Sequence, residues 1–222
     1  MLPDRLTKID ETTRDQHHFL DPDDHCYFFG DFHSRQGFRF GETNQLIANY
    51  KRRPMAIRAS PKARELHYYK EQAIRDVAAA LRTAISGRTL AETTFVPIAT
   101  SRVRTHPDYC DRLERTLRAA FGDALDLRCL LRQTVSTEAD HLRDLRSSYD
   151  ALLEITELDR AQLTTPVRDR IILFDDVLTS GKHYKVAKTR LLEALPGHAI
   201  VAIFIARAIH PSDRATGAEA PK

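Results

Sequence analysis

RIILFDDVLTSGKH, residues 170–183, decides the fold. It opens on an apolar run, Ile171-Ile172-Leu173-Phe174, that never alternates with polar residues. An unbroken run of this length is the pattern of a strand covered on both faces, as in a parallel sheet. The run enters two aspartates, Asp175 and Asp176, and then a hydroxyl-and-glycine turn, Thr179-Ser180-Gly181. A helical stretch over 182–195 follows, Pro196-Gly197 makes the next turn, and HAIVAIFIARAI (198–209) is a second fully apolar strand. Strand, helix and strand with short connectors make a right-handed βαβ unit, so the two strands lie parallel.

Upstream, TTFVPIAT (93–100) reads as another buried strand and LDLRCLLRQT (125–134) as a further candidate. Ser60-Pro61 opens the clearest helix, Ser as N-cap and Pro at the first helical position. Leu66, Tyr69, Ala73, Ile74, Val77 and Leu81 follow at three- and four-residue steps, and Gly87 is the expected stop. A second helix is expected from Pro107 to Gly122, and a third over 138–153 through Leu142, Leu145, Tyr149 and Leu152. A shorter helical segment over 41–54 stops at Pro54, and a strand begins at Cys26. Residues 1–25, polar and broken by Pro3 and Pro22, read as an extended arm.

Composition narrows the class. The 222 residues are 42% hydrophobic and 29% charged, an ordinary globular balance. Thirty-four Lys and Arg against thirty-one Asp and Glu leave +3, too small a surplus to indicate nucleic-acid binding. No apolar run approaches the ~18 residues of a bilayer span, so no membrane partner is expected. The first residues lack an apolar signal core, and Cys26, Cys110 and Cys129 cannot all pair. A soluble, cytoplasmic protein with reduced thiols is the expectation. His17, His18, His25 and Cys26 fit no strong metal-ligand spacing. The aromatics Tyr27, Phe28, Phe29, Phe32, Phe38 and Phe40 read as packing of a small N-terminal unit, with base stacking the alternative, and Arg52 and Arg53 as a solvated face.

Ligands of open parallel sheets bind beyond the carboxyl ends of the strands, so chemistry is sought at residues 175–183. A hydroxyl-and-glycine turn opening a helix presents backbone N–H groups toward one point, with the positive end of the helix dipole behind them. Thr179, Ser180 and Gly181 therefore read as a phosphate cradle, to which Lys182 adds charge. Asp175 and Asp176 suit acceptance from vicinal ribose hydroxyls, or support of Mg²⁺ through water. The segment is not a Walker loop: that pattern requires Gly at 176 and Ser or Thr at 183, where Asp176 and His183 stand.

Four apolar residues, two acids, two apolar residues and then Thr-Ser-Gly, IILF-DD-VL-TSG, resemble the ribose-phosphate signature of type I phosphoribosyltransferases. FVPIATSRVR (95–104) is similar to the pyrophosphate-loop stretch of the ComF-like branch, and RQTVSTEADHLRDLRSS (132–148) to its arginine-bearing segment. The likeness covers roughly residues 93–209. It implies an α/β fold with a Rossmann-like parallel sheet, divided into an N-terminal arm or hood (1–55), a phosphoribosyltransferase-like core (56–210) and a flexible tail (211–222). It also implies Mg-dependent transfer from phosphoribosyl pyrophosphate to an unidentified acceptor. Asp175 and Asp176 are then the catalytic pair on the ribose, with Mg²⁺ held through water. Thr179, Ser180, Gly181, Lys182 and His183 would take the 5′-phosphate; Thr100, Ser101 and Arg102 would take the pyrophosphate, and Arg132 and Arg146 would supply pyrophosphate or loop-closing charges. Lys182 and His183 stand where the family carries a small residue and a Thr, and the branch's zinc-binding cysteine module is missing. These departures motivate the alternative of a non-catalytic ligand sensor or partner-binding protein, related to DNA uptake or defence. Hydrolysis of an N-glycosidic or ribose-phosphate bond is a third reading. Such folds commonly pair, which makes a homodimer a candidate assembly.

Overall fold

In the computed structural model, which describes residues 2–136 and 148–210, the run 171–174 sits inside a five-stranded sheet. The strands are β1 (Thr7–Lys8), β2 (His25–His33), β3 (Thr93–Pro97), β4 (Leu131–Gln133), β5 (Thr156–Leu158), β6 (Arg170–Leu178) and β7 (Ala199–Ile209). The helices are α1 (Glu11–Arg14), α2 (Glu42–Tyr50), α3 (Pro54–Arg58), α4 (Ala63–Ala84), α5 (Gly87–Ala91), α6 (Arg112–Phe121), α7 (Tyr149–Glu154) and α8 (Lys182–Ala194). The sheet order is β1-β2-β7-β6-β3. β2 on β7, β7 on β6 and β6 on β3 are parallel, while β1 joins β2 antiparallel. This mixed α/β architecture is compatible with a Rossmann-like fold.

Both faces of β6 are covered, which is why its sequence does not alternate. Ile172 and Phe174 pack against Tyr50 of α2, Ile74, Val77 and Leu81 of α4, and Leu113 and Leu117 of α6. Ile171 and Leu173 point the other way, onto Tyr184, Ala187 and Leu191 of α8. Each of the larger of these side chains, once removed from water, contributes roughly 2 kcal/mol against the entropy of ordering the chain. Among the described residues no helix is long and apolar enough to cross a membrane.

Several boundaries differ from the sequence reading. α4 begins at Ala63, because the Ser60 hydroxyl accepts from Lys62 N at 3.1 Å in a turn ahead of the helix. It ends at Ala84 rather than at Gly87: Ile85 turns to extended backbone and buries its side chain, and Ser86 then caps α5 by accepting from Thr89 N. α6 starts at Arg112, after turns closed by His106 N to Val103 O and Tyr109 N to His106 O. Gly122 closes it at φ +76°. Of 125–134, Leu127 reaches the sheet through one bridge to Phe95; the chain then leaves and forms a separate two-stranded sheet, β4 with β5. The Asp126–Arg128 ion pair (2.8 Å) marks that exit, its guanidinium also donating to Thr165 O and Pro166 O. Where one helix is expected over 138–153, α7 starts only at Tyr149, with Ser148 in extended backbone as its N-cap; residues 137–147 lie outside the described residues.

The N-terminal segment is bound into this frame. β2 extends the sheet, sending Cys26 and Phe28 into one core and Phe29 into the other, while Phe38 and Phe40 stay exposed. The stretch expected as an extended arm is docked: Ile9, His17, Leu20 and Asp24 are buried. Asp24 meets Lys185 at 2.9 Å and Lys188 at 2.6 Å on α8, and accepts from the Tyr184 hydroxyl at 3.1 Å.

Candidate functional site

At the carboxyl ends of β3 and β6 lies a cavity of about 280 Å³. It brings together Thr100, Ser101, Asp175, Asp176, Thr179, Gly181 and His183, all singled out from the sequence, and adds Lys51 and Arg112. A second cavity of about 340 Å³ shares Lys51, Thr100, Ser101 and Arg112 and is lined further by Arg53, Arg102 and Asp108. Arg53, read from sequence as part of a solvated face, is 65% exposed; it stands at the rim of this cavity and meets Asp108 at 3.5 Å. Ser180 and Lys182 lie just outside the first cavity. The Ser180 carbonyl accepts from Phe19 N at 3.0 Å, and half-burial pulls the Lys182 ammonium below its ordinary pKa. Arg132 is elsewhere, on β4, paired with Glu157 of β5 at 3.2 Å. Arg146 lies outside the described residues.

Adjacent residues of a strand point to opposite faces, and this alternation separates the two acids. Asp176 continues the Ile172–Phe174 face toward α2 and α6. Its carboxylate accepts from Lys51 Nζ at 2.7 Å and, on the other oxygen, from Arg112 Nε at 3.2 Å and from Arg112 Nη2. Burial alone would raise its pKa; the Arg112 guanidinium and the Lys51 ammonium overcome that and hold it well below the usual carboxylate range. Asp175 continues the opposite face. Burial, and then the charge of Asp176, push it up to about 7. Its Oδ1 accepts from the Asp176 backbone N–H at 2.7 Å. Carboxylates driven apart in this way are suited to different tasks.

Sequence reading missed both cations. Lys51 follows the last residue of α2, and buried Lys70 fixes that terminus by donating to Tyr50 O at 2.9 Å and Arg52 O at 2.7 Å. This satisfies carbonyls that a helix end leaves without partners. The fully buried Tyr50 hydroxyl donates to Arg112 O at 3.2 Å and hydrogen-bonds Thr116 Oγ1 at 2.8 Å, tying α2 to α6. The Arg112 guanidinium lies 5.8 Å from the Tyr50 ring centroid. The basic run Lys51-Arg52-Arg53 was the one sequence signal available for Lys51; Arg112 gave none.

The turn after β6 passes through Gly181 at φ +87°, the N-cap of the 13-residue α8. A Cβ at Gly181 would stand 2.9 Å from Leu20 Cδ2, so glycine is required both by conformation and by the close approach of the N-terminal segment. His17 Nδ1 hydrogen-bonds the Thr179 carbonyl. Among the described residues no group of three or more His, Cys, Asp or Glu is placed to hold a metal ion. No family model, curated protein or solved structure matches the chain.

Proposed function

We propose that this cleft binds a 5-phosphorylated ribose bearing pyrophosphate on the anomeric carbon, and transfers the phosphoribosyl group to an acceptor, as in type I phosphoribosyltransferases of the ComF-like kind. The observation that carries the reading is convergence at one cavity. Two acids near the carboxyl end of a parallel strand, a hydroxyl loop following its neighbour, a glycine turn opening a helix and two cations all line it. Each part answers to one part of the ligand. Asp175 accepts from ribose hydroxyls, the 179–183 turn takes the 5′-phosphate, and Lys51 and Arg112, with Thr100 and Ser101, face the pyrophosphate. Arg102, in the adjoining cavity, extends that cationic wall.

Loss of pyrophosphate builds oxocarbenium-like charge at the anomeric carbon, as in glycoside cleavage. The chain has to hold the ribose, neutralise the departing group and exclude water; no protein nucleophile is needed. Preorganised donors to a developing anion are worth about 3–4 kcal/mol each in the transition state. With both Asp176 oxygens committed to Lys51 and Arg112, the ribose contact falls on Asp175. Mg²⁺ suits a donor set of this kind, one available carboxylate beside substrate phosphates, with Asp175 holding it through water. Bound there, Mg²⁺ would supply charge neutralisation on the pyrophosphate oxygens.

The test is calorimetric titration with phosphoribosyl pyrophosphate and Mg²⁺, followed by pyrophosphate release across a panel of acceptors. Wild-type binding that Asp175→Asn abolishes is expected; equal affinity in the variant removes the ribose assignment. The commitment of Asp176 to two cations also favours a second reading, a ligand-sensing pocket without turnover. Tight binding with no pyrophosphate release over a broad panel would select it.

A further inference from the structure

We infer that the N-terminal segment around His17 is a strap that aims the 179–181 turn into the cleft, and that His17 is a positioning residue for the phosphate contact; this rests on the sugar-phosphate reading above. The strap grips two successive peptide carbonyls. The His17 ring, fully buried, hydrogen-bonds the Thr179 carbonyl through Nδ1, and Phe19 N donates to the Ser180 carbonyl at 3.0 Å. A carbonyl only accepts, so Nδ1 carries the proton. The described peptide bonds are trans, and in a trans peptide the C=O and the following N–H point in opposite directions. Holding the carbonyls of Thr179 and Ser180 against the strap therefore turns the N–H groups of Ser180 and Gly181 away from it. Thr179, Gly181 and His183 of this turn line the cavity.

Two further contacts make the strap, the turn and α8 one unit. Leu20 occupies the space that Gly181 leaves open, 2.9 Å from where a Cβ would sit. Asp24, its side chain fully buried, is clamped by Lys185 and Lys188 on the helix that the turn opens. Without the His17 bond the Thr179 peptide is free to rotate, and the donor that follows it loses its direction. A charged acceptor such as phosphate is sensitive to that direction, because bonds to charged groups are the strong ones and weaken steeply with angle.

The experiment compares wild type, His17→Phe, which keeps a ring and loses the donor, and His17→Asn, which keeps a donor for the carbonyl. Each is titrated separately with ribose 5-phosphate and with inorganic pyrophosphate, the second probing Lys51 and Arg112. His17→Phe is expected to weaken ribose 5-phosphate about tenfold or more while pyrophosphate affinity stays within about twofold, and His17→Asn to recover most of the loss. If His17→Phe does not fold, Phe19→Pro, which removes the N–H that holds the Ser180 carbonyl, is expected to give the same selective loss. Unchanged ribose 5-phosphate binding in the variants, or equal loss of both ligands, overturns the strap. Wild type that binds no ribose 5-phosphate overturns the site reading itself.

Discussion

Arg112→Met tests the ion-pair centre of the site. The Arg112 side chain is 15% exposed and that of Asp176 5%, whereas Lys51 is 47% exposed. Truncating the guanidinium leaves a buried carboxylate facing one ammonium that water also reaches. Removing one partner of a buried pair costs about 3–5 kcal/mol, and the remaining Lys51 contact places the loss near the lower end, about 3 kcal/mol. For a chain of this size ~2–4 °C is lost per kcal/mol, so the melting temperature should fall by about 9 °C. The deficit should also depend on pH. In wild type the folded pKa of Asp176 lies below the ordinary 3.8, so its stabilisation is present above that value and is lost as pH falls through the lowered folded pKa. In Arg112→Met burial works against a weaker opposing charge, the folded pKa rises, and acidification from neutrality narrows the gap to wild type. Urea unfolding from pH 7 downward measures both effects. Asp176→Asn added to Arg112→Met should cost less than in wild type, with a coupling of about 2 kcal/mol. A single-variant loss under about 0.5 kcal/mol, or strict additivity in the cycle, would show that the pair behaves as a surface contact and refute the reasoning.

Asp175→Asn should behave in the opposite sense. The folded pKa of Asp175 is raised from 3.8 to about 7, so the folded state holds the extra proton across that window and wild-type stability declines as pH rises through it. The asparagine variant should lose this decline and be the more stable protein at pH 8; unfolding curves with the same pH slope as wild type would contradict it. Gly181→Ala meets a left-handed backbone, φ +87°, and the Leu20 side chain. It should cost roughly 1–2 kcal/mol for conformation, with a further steric loss that Leu20→Ala relieves, read by thermal unfolding of the single and double variants. An unchanged melting temperature in Gly181→Ala would sink that account.

The sheet was legible because burial on both faces writes itself into long apolar stretches without alternation, 171–174 of β6 and 199–206 of β7. The site's location followed from Asp175-Asp176 close to the carboxyl end of β6 and the glycine turn after it. What stayed hidden was long-range. Lys51 and Asp176 are 125 positions apart, and Arg112 and Asp176 are 64 apart. A helical period records which residues face a core, not which terminal cation reaches a distant carboxylate. The docking of 17–24 was hidden for a related reason. Its anchors are one histidine, a backbone amide, Leu20 and Asp24, too few apolar positions to raise a periodic signal. The end of α4 was misplaced because glycine was weighed as a stop, while the serine cap before it and the buried Ile85 carried the real break. Residues 125–134 looked like a sheet strand because their apolar content is high. Asp126 and Arg128 interrupt it with a charge pair that belongs at an edge.

The alternation of β6 also fixes the sign of the cleft. Had both acids been solvated and ionised, the end of the strand would carry two negative charges beside the turn expected to bind an anion, and would repel it. Here Asp176 falls on the face reached by α2 and α6, so it takes up Lys51 and Arg112, one negative charge against two positive ones. Asp175 falls on the face of α8, and with its pKa near 7 is partly neutral at physiological pH. The balance at the cavity wall is positive, and the adjoining cavity adds Arg53 and Arg102 against Asp108. An acidic motif that leaves its cavity cationic is the arrangement an anionic, hydroxyl-bearing ligand requires: charge for its phosphates, and one titratable carboxyl for its hydroxyls. On the proposed reading, Asp176 anchors the cations and Asp175 is the group that meets the sugar. Substituting Asp176 should therefore disturb phosphate binding through Lys51 and Arg112, whereas substituting Asp175 should disturb ribose recognition directly.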